Sequence, residues 1–369
     1  MKFIKFLNYD YNRFSKKKFG GFLRRKVHLF STNNSQFNNE KLYNFGFQKV
    51  SEEIKSKLIH NLFSNVSNKY DIMNDLMSLL LHRSWKNELV KELDIFLKYY
   101  SYNIHEICKN NKTFLNEEIL TEENSVNDNV DYNNIKNEEK EIHENKNDTE
   151  SLSKKKRLHN FYKCKILDLA GGTGDIAFRI LEKSKHYLKQ NNEKFSDNFY
   201  QKYMPDIIVC DANSDMINVG IKKAKDLNYY NNITWLIENA ENLKSIEDNS
   251  IDIITLSFGI RNFTNIPIAL KEIHRVLKPG GRFLCLEFSK VNCDITNIFY
   301  KFYLNNCIPL LGKLVANDKD SYKYLAESIQ TFLTPDELSQ LIYENNFKNI
   351  SYTTMTMGIV AIHSAYKLN

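Results

Sequence analysis

The chain contains 369 residues, of which 42% are hydrophobic and 26% are charged, so it can bury one large folded core or two smaller ones. Its formal net charge is +6, and no apolar run reaches the roughly 20 residues that a membrane-spanning helix requires, which argues against an integral membrane protein. The six cysteines never form a C-x-x-C pair, so their spacing excludes a zinc site and a disulfide framework, and we expect reduced thiols and no metal.

The N-terminal residues carry an uneven share of the positive charge. Residues 1–39 contain nine lysines and arginines but a single acid, Asp10, and they are interleaved with phenylalanines and hydroxyl residues. A basic, acid-poor terminus of this kind is typical of a mitochondrial transit peptide, which we predict for residues 1–40. The alternative is a nucleic-acid-binding arm, but no basic face is evident downstream, so we expect no nucleic-acid partner.

The next two segments differ sharply in composition. Residues 41–101 have apolar residues at helical spacing, with Tyr70, Asp71 and Asn74 mixed into the apolar face, and are predicted to form an N-terminal helical cap over a site. Residues 102–160 are rich in Asn, Glu and Lys and bury too little apolar surface to fold, so a disordered insertion is predicted. A shorter solvated insertion is predicted near residues 186–203, within a core domain covering residues 161–369.

A glycine-rich loop follows the first strand of this core. Residues 165–175 read KILDLAGGTGD, which predicts a strand, a turn with three glycines and a helix. Bare glycine backbone and the unpaired N–H groups of the helix suit a nucleotide, although a simple turn between a core strand and a core helix stays open. The G-x-G-x-x-G spacing for a pyrophosphate is absent, and Asp168 before the loop suits a cationic amine. The loop resembles the first motif of class I S-adenosylmethionine methyltransferases, with Ala170 where many members have glycine.

Polar residues recur at the ends of the strands that follow. Strands and helices alternate regularly, which predicts a doubly wound parallel sheet with its ligands at the carboxyl ends of the strands. Asp211 at the end of the second strand can accept both hydroxyls of a ribose, although it could also be a helix cap. Asn239 and Ala240 suit the edge and face of an adenine, and Thr173 and Ser257 add hydroxyls. Core packing has no reason to place polar groups at one end of four strands, which favours a binding site.

Longer motifs now show a resemblance to one family. The chain resembles the ubiquinone and menaquinone C-methyltransferase family over residues 44–96 and 162–368, and it is most similar to the mitochondrial ubiquinone-pathway members. The first signature is YDIMN at residues 70–74 with Ser78, His82 and Trp85, and the second begins RVLKPGG at residue 275 and ends EFS at residue 289. Similar stretches are SFGIRN at 257–262, LVANDKDSYKYLAESI at 314–329 and GIVAIHSAYK at 358–367.

The resemblance implies a fold, a cofactor and a set of cofactor-binding residues. The fold is the α/β class I S-adenosylmethionine-dependent methyltransferase fold, a Rossmann-like doubly wound sheet with an N-terminal helical cap and disordered insertions. The cofactor is S-adenosylmethionine. Together with the glycine loop, the resemblance implies that the cofactor is bound by Asp168, Gly172, Thr173, Gly174, Asp211, Asn239, Ala240 and Ser257. The chain departs from the family at Leu79-Leu80-Leu81, where the middle residue is usually glycine, so the bend over the site is expected to differ.

The resemblance also implies a reaction, namely methyl transfer to a ring carbon of 2-methoxy-6-polyprenyl-1,4-benzoquinol in ubiquinone biosynthesis. Two alternatives stay open: a demethylmenaquinol C-methyltransferase, and a non-catalytic member of a quinone-synthesis complex. An aromatic carbon is a weak nucleophile unless a neighbouring phenol is ionised. Arg261, with Asn262 beside it, is predicted to stabilise the phenolate or orient a water, and equally could form a structural ion pair.

Other candidate residues are weaker. His82 and His363 are alternative bases, although a histidine among apolar residues is more often a packing residue. Four further residues are candidates for the quinol pocket: Tyr70, Asp71, Tyr322 and Tyr324.

A polyprenyl tail resides in a bilayer, so we expect a peripheral protein on the matrix side of the mitochondrial inner membrane. Partners in a ubiquinone-synthesis multi-enzyme complex and a homodimer are also expected. Residues 299–315 are apolar with few charges, and they are predicted either to face the tail or to form a buried helix pair.

Overall fold

The structure, a computed structural model, describes residues 41–109, 163–191, 197–290, 298, 300–312 and 319–368. The predicted transit peptide and most of the predicted insertion at 102–160 lie outside these residues. The chain starts with a small hairpin of β1 (Tyr43–Phe45) and β2 (Gln48–Val50).

A seven-stranded mixed sheet forms the centre of the protein, with the order β5-β4-β3-β6-β7-β9-β8. Its strands are β3 (Lys165–Leu169), β4 (Asp206–Asp211), β5 (Ile233–Ile237), β6 (Ile251–Ser257), β7 (Leu277–Phe288), β8 (Lys348–Met355) and β9 (Val360–Tyr366). Strands β3 to β7 are parallel, and their order reverses between β3 and β6, which confirms the doubly wound fold.

The predicted parallel pairing is confirmed for strands β3 to β7, whereas the last strand of the chain is antiparallel. β9 pairs antiparallel with both β7 and β8. The physical reason is the short turn at Thr356–Gly358, because two strands joined by so few residues can pair only as a hairpin.

Helices cover both faces of the sheet. The cap contains α1 (Glu52–Val66), α2 (Tyr70–Met77), α3 (Leu81–Lys91) and α4 (Asp94–Lys109). The core contains α5 (Asp175–Asn191), α6 (Asp197–Tyr203), α7 (Ser214–Asp226), α8 (Ile266–Val276), α9 (Ile308–Leu311), α10 (Lys319–Thr331) and α11 (Pro335–Glu344). Consecutive strand residues point to opposite faces, so Ile166 packs with α3, α4 and α5, while Leu167 packs with α8 and α11.

Two predicted boundaries differ from the structure. Helix α4 continues past the predicted cap end at residue 101 to Lys109, because Ile104 is buried in the core. The predicted solvated insertion at residues 186–203 is wrong for its described part. Leu188 and Tyr200 are buried in the same core, since their apolar surfaces extend the face of α5 and α6 against the sheet.

The predicted helical run through the first signature is interrupted by a sharp bend. Helix α2 ends at Met77, and both Leu79 (φ 49°) and Leu80 (φ 66°) adopt left-handed backbone conformations before α3 begins. The N–H of Leu80 donates to the carbonyl of Asp75 at 2.8 Å, which closes the turn. A bend is therefore present although Leu80 stands where glycine would adopt this conformation freely.

Close packing against Trp235 fixes the glycine loop to α7. A Cβ on Gly220 of α7 would lie 2.5 Å from the Trp235 ring and 3.1 Å from the backbone of Thr173. A Cβ on Gly174, where φ is +82°, would lie 2.8 Å from the same ring. Because the indole occupies the space beside both glycines, the position of the loop depends on their lack of side chains.

We expect Gly220→Ala to destabilise the protein. Alanine gains about 1 kcal/mol of helix propensity over glycine, but the ring contact adds overpacking of about 1–3 kcal/mol. Urea denaturation should show a net loss of free energy of unfolding of about 1 kcal/mol. The matched control is Lys222→Ala on the exposed face of the same helix. This control should change the free energy of unfolding by less than about 0.5 kcal/mol. Equal stability of Gly220→Ala and the parent would contradict the packing argument.

Candidate active site

A cavity of about 300 Å³ lies at the carboxyl ends of β3, β4, β5 and β6. Five of the residues predicted to bind the cofactor line it: Gly172, Asp211, Asn239, Ala240 and Ser257. Helix α1 covers it with Ser56, Ile59, His60 and Phe63. The topology therefore brings together residues from four separate strand ends, as the alternating sequence pattern predicts.

Asp211 connects β4 to the glycine loop. Its Oδ2 accepts from the N–H of Gly172 at 2.9 Å, and its Oδ1 accepts from the N–H of Asn213 at 2.8 Å. Burial raises the pKa of Asp211, while these two N–H donors act to lower it. The side chain that caps α7 is Asn213, which accepts from the N–H groups of Asp215 and Met216. The alternative that Asp211 is merely a helix cap is therefore wrong.

The polar groups of this cavity fit an adenosyl ligand. The hydroxyl of Ser257 is buried and has no hydrogen-bond partner among the described residues. A Cβ on Gly172 would fill space 3.0 Å from Met216, so bare backbone forms part of the wall. A carboxylate, a hydroxyl and the Asn239 amide thus surround a space next to glycine backbone, which is the donor and acceptor set that a ribose and an adenine require.

The structure places Asp168, Thr173 and Gly174 behind the loop, outside the lining of the cavity. Asp168 is fully buried, and its Oδ1 accepts from the Thr255 hydroxyl at 2.9 Å. Burial raises the pKa of Asp168 to about 7. The Thr173 hydroxyl accepts from Lys223 at 3.1 Å, and Lys223 also forms an ion pair with Asp71 of α2. These contacts shape the loop from beneath.

A second, largely apolar cavity of about 370 Å³ adjoins the first. Phe63, Tyr70 and Phe258 line both cavities, so the two spaces meet at these three rings. The apolar cavity is lined by Met73, Met77, Trp85, Phe288, Leu304 and Ile308, among others. Phe258 and Phe288 were not singled out from the sequence, although both lie inside the motifs at residues 257–262 and 275–289.

Arg261 lines the apolar cavity and is also held in a buried ion pair. Its side chain is 6% exposed, and Nη1 lies 2.9 Å from Oε1 of Glu287 at the end of β7. Nη1 also donates to the carbonyl of Phe258, and the guanidinium lies 5.3 Å from the centre of the Phe288 ring. Within the described residues, Nε has no hydrogen-bond partner. The observed position of Arg261 is therefore compatible with both predicted roles, a structural ion pair and a group that faces the substrate.

The remaining candidates separate into those that reach a cavity and those that do not. His82 lines the apolar cavity, and its Nδ1 lies 2.9 Å from the Ser78 hydroxyl. Burial and the neighbouring Lys86 lower the pKa of His82 to about 4, so its imidazole is neutral at pH 7. His363 is buried beside the carbonyl of Pro335, outside both cavities, which indicates a packing role. Of the four residues predicted for the quinol pocket, Tyr70, Tyr322 and Tyr324 line the apolar cavity and Asp71 does not.

Comparisons with known proteins find one matching family and several relatives. A family model described as the ubiE/COQ5 methyltransferase family matches residues 49–109 and 124–367. The chain is 35% identical over 340 residues to the mitochondrial 2-methoxy-6-polyprenyl-1,4-benzoquinol methylase of Bos taurus, covering 88% of this chain and 83% of the relative. It is 38% identical over 325 residues to the ubiquinone/menaquinone biosynthesis C-methyltransferase UbiE of Rickettsia prowazekii, covering 88% of this chain and 98% of the relative.

A comparison with solved structures finds a SAM-dependent methyltransferase from Aquifex aeolicus. The TM-score is 0.36 and the sequence identity is 14%, with 58% of this chain and 88% of that chain covered.

We expect Asp168→Asn to change how stability depends on pH. An aspartate in an unfolded chain titrates near pH 4, whereas the buried pKa of Asp168 is about 7. As the pH rises from 4 to 7 the unfolded state loses this proton first, so the free energy of unfolding of the parent falls. Between pH 4.5 and 7.5, the free energy of unfolding of the parent should fall by about 2–4 kcal/mol more than that of the variant. Urea denaturation across this pH range measures the difference. An identical pH dependence of the two proteins would contradict the buried, protonated state.

Proposed function

The chain belongs to the ubiE/COQ5 methyltransferase family, and we propose that it transfers a methyl group from S-adenosylmethionine to a ring carbon of a 2-methoxy-6-polyprenyl-1,4-benzoquinol. Relatives from Bos taurus and Homo sapiens carry the name of this benzoquinol methylase. The observation that carries the proposal is the junction of a polar cavity with an apolar cavity at Phe63, Tyr70 and Phe258. One space suits the cofactor, and the other suits an isoprenoid-bearing ring.

Residues on four strand ends would hold the cofactor. Asp211 and Ser257 offer acceptors and a donor for the ribose, Asn239 and Ala240 border the place for the adenine, and the bare backbone at Gly172 allows close approach. When bound, the cofactor supplies an electrophilic methyl group on a sulfonium. Asp168, Thr173 and Gly174 would act on this binding through the shape of the loop.

Arg261 is proposed to favour the ionised form of the quinol hydroxyl. Its guanidinium stays charged, and Glu287 fixes its direction at the wall of the apolar cavity. A fixed positive group stabilises a phenolate oxygen, whose electron density then moves to the adjacent ring carbon. The hydroxyl proton passes to a water, because an arginine does not accept it, and the proton on the methylated ring carbon then also leaves to water, which restores the aromatic ring. Rings of Tyr70 and Phe258 between the cavities restrict the orientation of the quinol, and such positioning can supply several kcal/mol of rate acceleration.

The proposed location of the protein rests on the names of its relatives and on the proposed substrate. Relatives named as mitochondrial support a mitochondrial protein, and we propose the matrix face of the inner membrane, where a polyprenyl quinol is dissolved. No helix within the described residues is long and apolar enough to cross a membrane. The transit peptide at residues 1–40, a homodimer and membership of a ubiquinone-synthesis complex stay predictions.

We expect Arg261→Lys to lower kcat about 100-fold while cofactor affinity changes less than about threefold, because the charge remains but the fixed fork of donors is lost. Single-turnover kinetics and isothermal titration calorimetry with S-adenosylmethionine would measure the two quantities. The control is Arg275→Lys, a second ion-paired arginine that bonds Glu272 and Asp248 away from both cavities. Near-normal turnover of folded Arg261→Lys would reduce Arg261 to a structural residue.

The acceptor is tested with methyl-labelled S-adenosylmethionine and a short-tailed demethyl benzoquinol. Label should enter the ring carbon when dithionite keeps the acceptor reduced, and not with the oxidised quinone, since only the quinol can ionise to a phenolate. The UbiE relatives are named for both quinone pathways, so a short-tailed demethylnaphthoquinol is assayed in parallel. Transfer to the naphthoquinol alone would replace the proposed acceptor.

A further inference from the structure

A third cavity, of about 370 Å³, lies between the N-terminal hairpin and the main core. The β1–β2 hairpin contributes one part of its wall, and the start of α8 and the end of α10 contribute others. We call this space the hairpin cavity. Arg261 and Tyr324 line both the hairpin cavity and the apolar cavity, so these two side chains belong to the walls of both. Arg261 therefore borders a second space besides the one proposed for the quinol.

The wall of the hairpin cavity changes from exposed to buried residues. Lys41 and Lys49 of the hairpin side are exposed, whereas Tyr324 is 6% exposed and Lys55 of α1 is 4% exposed. The hydroxyl and amide residues of the lining are Asn44, Thr264, Asn265, Ser328 and Thr331. A cavity with several polar groups can hold hydrogen-bonded water. Because the cavity is also open to solvent, it offers water a route to Arg261 that avoids the apolar cavity.

Lys55 is a buried titratable group in the wall of the hairpin cavity. Its Nζ donates to the carbonyl of Phe263, two residues along the chain from Arg261, at 2.7 Å. Burial lowers the pKa of Lys55 to about 8, and the nearby charge of Glu241 acts in the opposite direction. The other charged groups in the wall are all cations, namely Arg261, Lys41 and Lys49, and they do not favour a further proton. The position of Lys55 thus combines nearness to Arg261 with an amine that can lose its proton.

We propose that Lys55 accepts the proton released by the quinol, through water that occupies the hairpin cavity beside Arg261. The inference rests on the proposed function, because it needs a quinol that ionises next to Arg261. The O–H bond of the quinol breaks, and its electron pair stays on the oxygen and moves toward the ring carbon. Water passes the proton to the lone pair of the neutral Lys55 amine, which becomes an ammonium. The ammonium then returns the proton to solvent through the exposed part of the cavity.

The chemistry of the neighbouring groups favours Lys55 as the acceptor. Arg261 stabilises an oxyanion but cannot take its proton, whereas a neutral lysine amine can take it and still donate an N–H to the Phe263 carbonyl. His82 also lines the apolar cavity, but its pKa of about 4 makes it a weak base. A proton acceptor works best when its pKa lies near the working pH, and Lys55 meets that condition better than His82.

Lys55→Arg separates acceptance of a proton from attachment of α1. Arginine keeps the positive charge and can donate to the Phe263 carbonyl, but it stays protonated. The single-turnover rate of the parent should rise with pH through an apparent pKa near 8. Lys55→Arg should be at least about tenfold slower at pH 8 and lack this rise, while its affinity for S-adenosylmethionine in calorimetry changes less than about threefold.

The matched control is Lys57→Arg, an exposed lysine of the same helix that pairs with Glu53. This control should keep the parental rate and the parental pH profile, because Lys57 lines none of the three cavities. A structural role of Lys55 predicts that arginine restores activity in full. A parental rate and pH profile of Lys55→Arg would therefore overturn the inference.

A measurement without substrate separates this inference from the proposed function. In the full-length chain with ¹³C-labelled lysine, the Cε signal of Lys55, assigned by its loss in Lys55→Arg, should titrate near pH 8. Titration at the ordinary lysine value of about 10.4 would overturn the inference whatever the activity.

The kinetic comparison uses the short-tailed benzoquinol or naphthoquinol, whichever the parent methylates, since either acceptor releases a proton. If the parent methylates neither quinol, the proposed function is wrong, and titration of Lys55 near pH 8 then supports a base in the hairpin cavity without that acceptor.

Discussion

The buried ion pair between Arg261 and Glu287 holds the two halves of the site in register. Glu287 is the penultimate residue of β7, and besides the hydrogen bond from the guanidinium it accepts hydrogen bonds from the backbone N–H groups of Arg261 and Phe288. Arg261 in turn donates to the carbonyl of Phe258, a residue in a left-handed conformation whose ring lies between the two cavities. Removing either charge would leave its partner buried and unpaired, which typically costs 3–5 kcal/mol. One contact therefore fixes both the proposed catalytic group and the ring that divides cofactor space from acceptor space.

The helical cap is attached to the core in two physically different ways. Helices α3 and α4 belong to the main core through Trp85, Leu89 and Leu97, which are almost completely buried. Helix α1 is attached by polar contacts, in which Lys55 donates to the Phe263 carbonyl at 2.7 Å and the Asn213 amide donates to the His60 carbonyl at 2.9 Å. Polar contacts contribute less stability than a buried apolar face, so the element covering the cofactor cavity is held less firmly than the helices beside it. That difference suits a site that has to admit a cofactor.

The site also shows a gradient of polarity that matches the chemistry proposed for it. Carboxylate, amide and hydroxyl groups lie at the ends of β4, β5 and β6, aromatic rings lie at the junction, and aliphatic side chains line the apolar cavity beyond it. A charged cofactor and an isoprenoid quinol need opposite surroundings, yet the reacting atoms of both have to meet. Adjoining cavities of opposite polarity satisfy both requirements in one protein.

The sequence by itself determined the features that depend on local backbone chemistry and on a regular period. The glycine loop, the alternation of strands and helices, and the polar residues at strand ends were predictable, because parallel strands in a doubly wound sheet present their carboxyl ends at one edge. Asp211, Asn239, Ala240 and Ser257 line the cavity for this reason. The long family motifs added the fold family and the catalytic candidate Arg261.

Only the tertiary structure decided which of these residues face a cavity and which face the core. Asp168 and Thr173 lie in or beside the glycine loop, as Gly172 does. However, the Asp168 carboxylate accepts a hydrogen bond from Thr255 and the Thr173 hydroxyl accepts one from Lys223, both behind the loop. Glu287 lies 26 residues from Arg261, and no local pattern joins the two. The antiparallel β9 and the burial of Leu188 and Tyr200 likewise depend on long-range packing. Sequence period fixes the direction of a side chain relative to its own element, whereas its partner is fixed by the neighbouring elements of the folded chain.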